Sequence, residues 1–156
     1  MSRRKKNIKK NILPDPKFCN IDVAKFVNIL MFSGKKSLSE NIIYRAFDYI
    51  KKKTGRNPLD IFFLAIENCK PLVEVKSRRI GGSSFQVPIE VRLTRRATLS
   101  MRWLRESLFK RKEKYIYHRL GQELIDASEN KGFTIKKRDN IHKMAEANKT
   151  FSHFKF

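Results

Sequence analysis

The sequence predicts a mainly α-helical protein of six helices, with an extended two-stranded β-hairpin arm between helices 3 and 4. Apolar residues recur at helical spacing in six segments, which Gly, Pro or basic stretches separate. Between Val73 and Val91 the spacing changes to a period of two around Gly81 and Gly82, which is typical of a hairpin. A length of 156 residues predicts one domain, residues 1–156, large enough to bury a core.

Three helices precede the hairpin. Asn20 is a candidate N-cap for the first, which Gly34 ends. Ser37-Leu38-Ser39-Glu40 matches a capping box that opens the second helix, whose last turn holds Lys51 to Lys53. Asn57 and Pro58 open the third as cap and first residue. The expected inward stripes are Val23, Phe26, Val27 and Leu30; Leu38, Ile42, Ala46 and Ile50; and Phe62, Phe63, Ile66 and Cys69.

The hairpin carries a concentration of positive charge. Lys76, Arg78 and Arg79 have no acid beside them in the distal half, and the Gly81-Gly82 turn lets the backbone approach a partner closely. One interpretation is an arm that reaches into nucleic acid. The other is a solvated hairpin whose basic residues protect an exposed strand edge from aggregation. The hairpin by itself favours neither interpretation.

Three more helices follow the hairpin. The fourth starts near Thr94 and separates an apolar stripe from arginines, and Trp103 is expected in the core. The fifth follows the basic loop at Lys110 to Lys112, with Glu123 expected away from the core. The sixth, after Gly132, has a small apolar face, which suggests that it leans partly on a partner. The apolar residues of these helices are Ala97, Met101, Leu104 and Leu108 on the fourth; Tyr117, Leu120, Leu124 and Ala127, expected to face inward, on the fifth; and Ile141, Met144 and Ala145 on the sixth.

Charge decides between the two interpretations of the hairpin. The chain has 36 Lys and Arg against 15 Asp and Glu, a net charge of +21 and a pI near 10.3. Such an excess repels itself in a compact state unless a polyanion neutralises it, and the dispersed arginines favour nucleic acid over a membrane surface. From Pro71 to Lys112 there are 11 basic and 3 acidic residues, an imbalance too local for general solubility. Apolar runs such as Ile61 to Ile66 are too short to span a membrane.

Both ends of the chain look like extensions of the domain. Residues 1–12 are predicted to be a flexible basic arm that orders on its partner. Residues 149–156 are predicted to be an extended C-terminal tail. Its mix of aromatic and basic residues fits stacking on bases and equally fits a tail folded back onto the helices.

No pattern of catalytic or metal-ligating residues is present in the sequence. Cys19 and Cys69 form no Cys-x-x-Cys pair, and His118, His142 and His153 are scattered. The sequence therefore predicts no enzyme, no cofactor, no metal and reduced thiols. An enzyme acting on RNA would need an acid or a His clustered with Arg. A DNA-compacting or regulatory protein is the alternative function, since a basic β-arm on a helical body also suits the minor groove.

Several blocks strongly resemble the bacterial and organellar family of small-subunit ribosomal protein seven, over nearly the whole chain. The blocks are Leu13-Pro14-Asp15-Pro16-Lys17-Phe18, Lys25-Phe26-Val27-Asn28-Ile29-Leu30-Met31, Gly34-Lys35-Lys36-Ser37, Val73 to Ser83, Gln86-Val87-Pro88, Glu129-Asn130-Lys131-Gly132 and His142 to Lys149. The resemblance implies a bundle of six helices with a hairpin arm, and a structural protein of the small ribosomal subunit.

The resemblance also implies partners and contacts. Such a protein binds the 3′ major domain of 16S-type rRNA, nucleates assembly of the subunit head and lies near mRNA and exit-site tRNA. The hairpin tip would face the exit site, and the tail would approach a neighbouring platform protein. The location would be the cytoplasm of a bacterium, or the interior of an organelle. The RNA-binding residues that it implies are Arg3, Arg4, Lys5, Lys6, Lys9, Lys10, Lys35, Lys36, Lys76, Arg78, Arg79, Gly81, Gly82, Arg92, Arg95, Arg96, Arg102, Lys112, Lys114, Lys136, Lys137, Arg138 and Lys143.

Overall fold

The computed structural model describes residues 12–154, and the predicted fold class is confirmed. Within that range six α-helices surround the core, and one antiparallel hairpin lies between the third and fourth. The helices are α1 (Ile21–Leu30), α2 (Lys36–Thr54), α3 (Pro58–Cys69), α4 (Leu93–Ser107), α5 (Ile116–Ser128) and α6 (Gly132–Ala147). The strands are β1 (Val73–Ile80) and β2 (Ser83–Glu90), and a 3-10 helix at Lys149–Phe154 ends the described chain.

Side-chain caps begin two of the first three helices, as predicted. The Asn20 side chain accepts hydrogen bonds from the backbone N–H groups of Asp22 and Val23, at 2.8 and 3.2 Å. Asn57 accepts from the N–H of Leu59 at 3.2 Å, and Pro58 is the first residue of α3. These bonds satisfy N–H groups that have no partner inside a helix.

The start of α2 differs from the predicted capping box. The helix begins at Lys36, and Lys35 occupies the cap position without a side-chain cap. Glu40 lies 3.8 Å from the Lys36 ammonium. The inward stripe is also rotated from the predicted one, because Leu38 is 54% exposed while Phe47 is buried. Turning the larger Phe47 inward removes more apolar area from water than burying Leu38 would.

The core is built around the aromatic rings of the first three helices. The Phe62 ring lies 5.5 Å from that of Phe26 and 5.6 Å from that of Phe47, and Phe18 lies 5.2 Å from Phe47 between centroids. Trp103 is buried, as predicted, whereas Phe63 is 38% exposed and not part of the core. Close packing between these helices fixes the surface on which the basic residues stand.

In the fifth helix Glu123 is fully buried, although it was expected to lie away from the core. One of its carboxylate oxygens accepts from Arg111 at 2.5 Å, and the other accepts from the N–H and hydroxyl of Thr134 at 2.8 and 2.7 Å. Arg111 also donates to Asp126 at 2.9 Å and to Glu113 at 3.0 Å. A buried carboxylate is stable only with such partners. The network therefore ties the loop after α4 to α5 and to the first turn of α6.

The end of the described chain folds back, where an extended tail was expected. The 3-10 helix packs against β2 and α6, and the Phe151 ring lies 5.2 Å from the ring of Phe85. Packing two aromatic rings removes apolar area that an extended tail would leave in water. As far as Phe154, the chain therefore follows the second interpretation of the tail, in which it folds back. It contacts the hairpin as well as a helix.

Candidate nucleic-acid interface

The hairpin arm is regular along both strands. Its register runs from Val73 opposite Glu90 to Ile80 opposite Ser83. Gly81 and Gly82 have φ angles of 55° and 92°, which two-residue hairpin turns require and which side chains other than Gly adopt with strain. Eight residues in each strand give an arm of about 26 Å. The two glycines thus close the hairpin, and its tip lacks side chains.

Basic residues lie on both faces of this arm. Val87 lies opposite Lys76, and Pro88 lies opposite Val75. Since cross-strand partners share a face and neighbours along a strand alternate, Lys76 and Arg78 share one face while Arg79 lies on the other. An arm with cations on both faces can contact phosphates on two sides at once.

An acid lies beside the hairpin lysine, contrary to the interpretation that the distal half has none. Glu74 is 3.3 Å from the ammonium of Lys76 and receives hydrogen bonds of 3.1 to 3.2 Å from the guanidinium of Arg95. Partial burial raises the pKa of Glu74, but the bonds from Arg95 and Lys76 outweigh it, so the pKa lies below its ordinary value. The carboxylate stays charged and joins the hairpin to the start of α4.

Three predicted arginines surround the beginning of α4. No acid lies in the first turn of this helix, so positive side chains add to the positive end of its dipole. Arg96 donates to the carbonyl of Val91 at 2.8 Å and is 3.7 Å from Glu90. Arg92 is exposed and, among residues 12–154, has no acid within 4 Å. Arg92, Arg95 and Arg96 thus place three cations beside the hairpin at this helix end.

Some of the other predicted residues contact acids or backbone carbonyls of the protein, and the rest have no acid nearby. Lys137 pairs with Glu106 of α4 and lies 5.7 Å from the Trp103 ring centroid. Arg138 donates to Asp139 and to the carbonyl of Asn68. These two hold α6 against its neighbours. Those that are exposed, with no acid within 4 Å in the described range, are Lys35, Lys112, Lys114, Lys136 and Lys143.

The N-terminal candidates Arg3, Arg4, Lys5, Lys6, Lys9 and Lys10 lie outside the described residues. The description begins at Ile12, which lines one cleft with Lys36 and another with Thr94. The described chain therefore begins next to Lys36 and the start of α4.

Pairing accounts for every acid between Pro71 and Lys112. Glu74 pairs with Lys76 and Arg95, Glu90 with Arg96, and Glu106 with Lys137. The cations of this stretch that have no acid within 4 Å among the described residues are Arg79, Arg92, Arg102, Arg105, Lys110 and Lys112. The charge imbalance of the sequence thus becomes a set of uncompensated cations on the surface.

The structure adds a basic aromatic cluster that was not predicted. Tyr115 and Tyr117 stack with ring centroids 5.4 Å apart, and the His118 ring lies 4.5 Å from Tyr117. Lys114 and Arg45 lie 5.5 and 5.9 Å from the ring centroids of Tyr115 and Tyr117. The sequence signal was the run from Lys114 to His118, but α2 contributes Arg45, which no local pattern could indicate.

Residues 12–154 contain neither a cluster of metal ligands nor a membrane-spanning helix. No group of three or more His, Cys, Asp or Glu is arranged to hold a metal ion. No helix there is both long enough and apolar enough to cross a membrane.

A helical body with a basic β-arm and uncompensated surface cations defines the class of proteins that bind a nucleic-acid scaffold. Comparison with known proteins gives the family: the model of Ribosomal protein S7p/S5e matches residues 2–149. The chain is 63% identical to small ribosomal subunit protein uS7 of Janthinobacterium sp. (strain Marseille) and of Herminiimonas arsenicoxydans, and 60% identical to that of Ralstonia pickettii (strain 12J). Each comparison covers 100% of both chains.

The chain belongs to the ribosomal protein S7 family, as its sequence blocks indicated. It is a structural constituent of the small ribosomal subunit and not an enzyme, and its partners are the ribosome and rRNA.

Proposed function

We propose that this chain binds the 3′ major domain of small-subunit rRNA, nucleates assembly of the subunit head, and lies near mRNA and exit-site tRNA. The observation that carries the proposal is the pairing of all three acids between Pro71 and Lys112, which leaves six cations of that stretch uncompensated. Dispersed cations neutralise RNA phosphates and release counterions, while a rigid body fixes the angle between RNA helices.

The proposed RNA-binding residues fall into two sets. The first set has no acid within 4 Å among the described residues, and its side chains are proposed to contact RNA directly. It consists of Lys35, Arg79, Arg92, Arg102, Lys112, Lys114, Lys136 and Lys143. Lys36, Lys76, Arg78, Arg95, Arg96, Lys137 and Arg138 complete the set within the described residues, with Arg3 to Lys10 on the arm. Paired residues such as Arg95 keep donors that a phosphate can share. The Gly81-Gly82 tip faces the exit site, and the C-terminal residues approach a platform protein.

The bacterial relatives favour a bacterial ribosome, and hence the cytoplasm, over an organelle.

The test is binding of the purified chain to an rRNA fragment of the 3′ major domain, against duplex DNA of equal charge, over a salt series. We expect preference for the RNA to survive moderate salt. Replacing Arg79 and Arg92 by Gln should reduce the slope of log affinity against log salt by about 1.4 to 1.8, at about 0.7 to 0.9 for each phosphate contact.

The matched control replaces Lys51 and Lys52 by Gln, which removes the same charge from the exposed end of α2. If the two double variants reduce the slope equally, net charge and not the proposed interface governs binding. Equal affinity of the original chain for RNA and DNA, vanishing together as salt rises, would overturn the proposal.

A further inference from the structure

An open cavity of about 560 Å³ lies between the end of α1 and the last turns of α4. Ile29 and Met31 line it from the first side, and Arg102, Arg105 and Phe109 line it from the second. Leu108 is 1% exposed and anchors the turn that ends α4, so the next side chain points outward and Phe109 is 73% exposed. An aromatic ring this exposed beside an open cavity has a face available to a ligand.

The cavity is cationic as well as partly apolar. Neither Arg102 nor Arg105 has an acid within 4 Å in the part of the chain that the structure describes. The one acid that lines the cavity, Glu106, is paired with Lys137 of α6. The charge complement of this surface is therefore an anion. A partner helix with an apolar face would leave both guanidinium groups buried without counter-charge, at a large cost.

The chemistry of the lining matches an unpaired nucleotide. An aromatic ring stacks on a base, a guanidinium binds a phosphate in a planar fork, and the exposed amide of Asn28 can donate to and accept from a base edge. The volume lies within the range of small-molecule sites. We propose that this cavity binds one unpaired nucleotide of an RNA strand, with Phe109 on the base and Arg102 and Arg105 on the neighbouring phosphates.

A path for the rest of the strand adjoins the cavity. A second cleft of about 530 Å³ lies along the same two helices, and Asn28 and Ile29 line both. Thr94 and Met101 continue this cleft toward the start of α4. From Thr94 to the end of α4 at Ser107, the seam runs for about 20 Å at the rise of a helix. A strand that leaves the nucleotide cavity along the seam would reach Arg92. This inference rests on the proposed function, because the RNA is the ligand in both.

The test uses the full chain and the 3′ major-domain rRNA fragment. Phe109→Ala should weaken binding by about 5- to 140-fold, the range for losing one stacked base. The salt slope should not change, because no charge is lost. Phe109→Tyr should retain affinity within about 2-fold, since the ring remains. Arg105→Gln should reduce the slope by about 0.7, one single-strand phosphate contact.

Phe133→Ala is the matched control, because Phe133 is 42% exposed at the start of α6 and lines none of these clefts. It should bind as the original chain does, and urea midpoints should show that each variant is folded. A fragment carrying 5-iodouridine should photo-crosslink to the peptide that contains Phe109.

The outcomes separate this inference from the proposed function. If the original chain shows no preference for the rRNA, the proposed function fails and the nucleotide site with it. If the original chain binds but Phe109→Ala binds as tightly, the nucleotide site alone is overturned. If Phe109→Ala binds RNA normally but fails to assemble with other small-subunit proteins, the cavity binds a protein partner. That result would also overturn the nucleotide site.

Discussion

Replacing Arg111 by Met should destabilise the protein by about 3 to 5 kcal/mol, the range for breaking a buried ion pair. The side chain of Arg111 is 10% exposed and that of Glu123 is 0% exposed, with 2.5 Å between donor and acceptor. Burial lowers the pKa of Arg111, but its hydrogen bonds to three carboxylates outweigh this and raise the pKa above its ordinary value. The charge therefore persists in the folded state, and Met leaves Glu123 buried without a cation.

Urea unfolding followed by circular dichroism measures the loss directly, and a thermal scan should show a fall in Tm of about 6 to 20 °C. The control is Lys110→Met, which removes a neighbouring exposed cation and should change the free energy of unfolding by less than about 0.5 kcal/mol. Adding Glu123→Gln to Arg111→Met should cost less than the sum of the two single changes, because the fully buried side chain at position 123 then carries no charge, while Glu113 and Asp126 lose their cation in either background. A loss below about 1 kcal/mol for Arg111→Met would refute the reasoning.

Two further predictions concern packing and pH. Gly121→Ala should destabilise the fold by about 1 to 3 kcal/mol, because the new Cβ would lie 2.6 Å from Cδ1 of Tyr49; urea unfolding without any loss would show that α2 and α5 can separate there. His142 accepts a hydrogen bond of 3.1 Å from the backbone N–H of Leu72, and burial, with the charge of Arg138, lowers its pKa. Its contribution to stability is thus complete above the unfolded pKa of about 6.5 and declines as pH falls below it. Between pH 7 and 5.5 the free energy of unfolding should fall less for His142→Gln than for the original chain. Equal falls would contradict this role of His142.

Local patterns predicted the elements because each one is encoded by neighbouring residues. Asn20, Asn57 and the Gly81-Gly82 turn act within four residues of their own position, and the structure confirms the two caps and the hairpin. The predicted stripe of α2 was right at Ala46 and Ile50, which are fully buried, and wrong at Leu38. Leu38 and Phe47 both fit a helical stripe, and only tertiary packing selects between them.

The burial of Glu123 was not predictable from its helix alone. Its partners, Arg111 and Thr134, come from a loop and from the next helix, and nothing in the local spacing brings them together. The same limit applies to the candidate interface. Sequence counting found the excess of cations after Pro71, but which of them pair with acids depends on contacts such as that between Lys137 and Glu106.

Pairing distinguishes cations that hold the fold from cations that are available to RNA, and the two groups should respond differently to the same substitution. Loss of Arg111 removes an internal partner of Glu123, so it should reduce stability before it affects RNA affinity. Loss of Arg92, exposed and without an acid in the described range, should leave stability unchanged and reduce the salt dependence of binding. Arg95 belongs to both groups, because its bond to Glu74 joins the hairpin to α4. The cations that make up the net charge of +21 therefore differ in what they do. Removing a cation that pairs with a buried acid should destabilise the scaffold, and removing an exposed cation that has no such pair should remove a proposed phosphate contact.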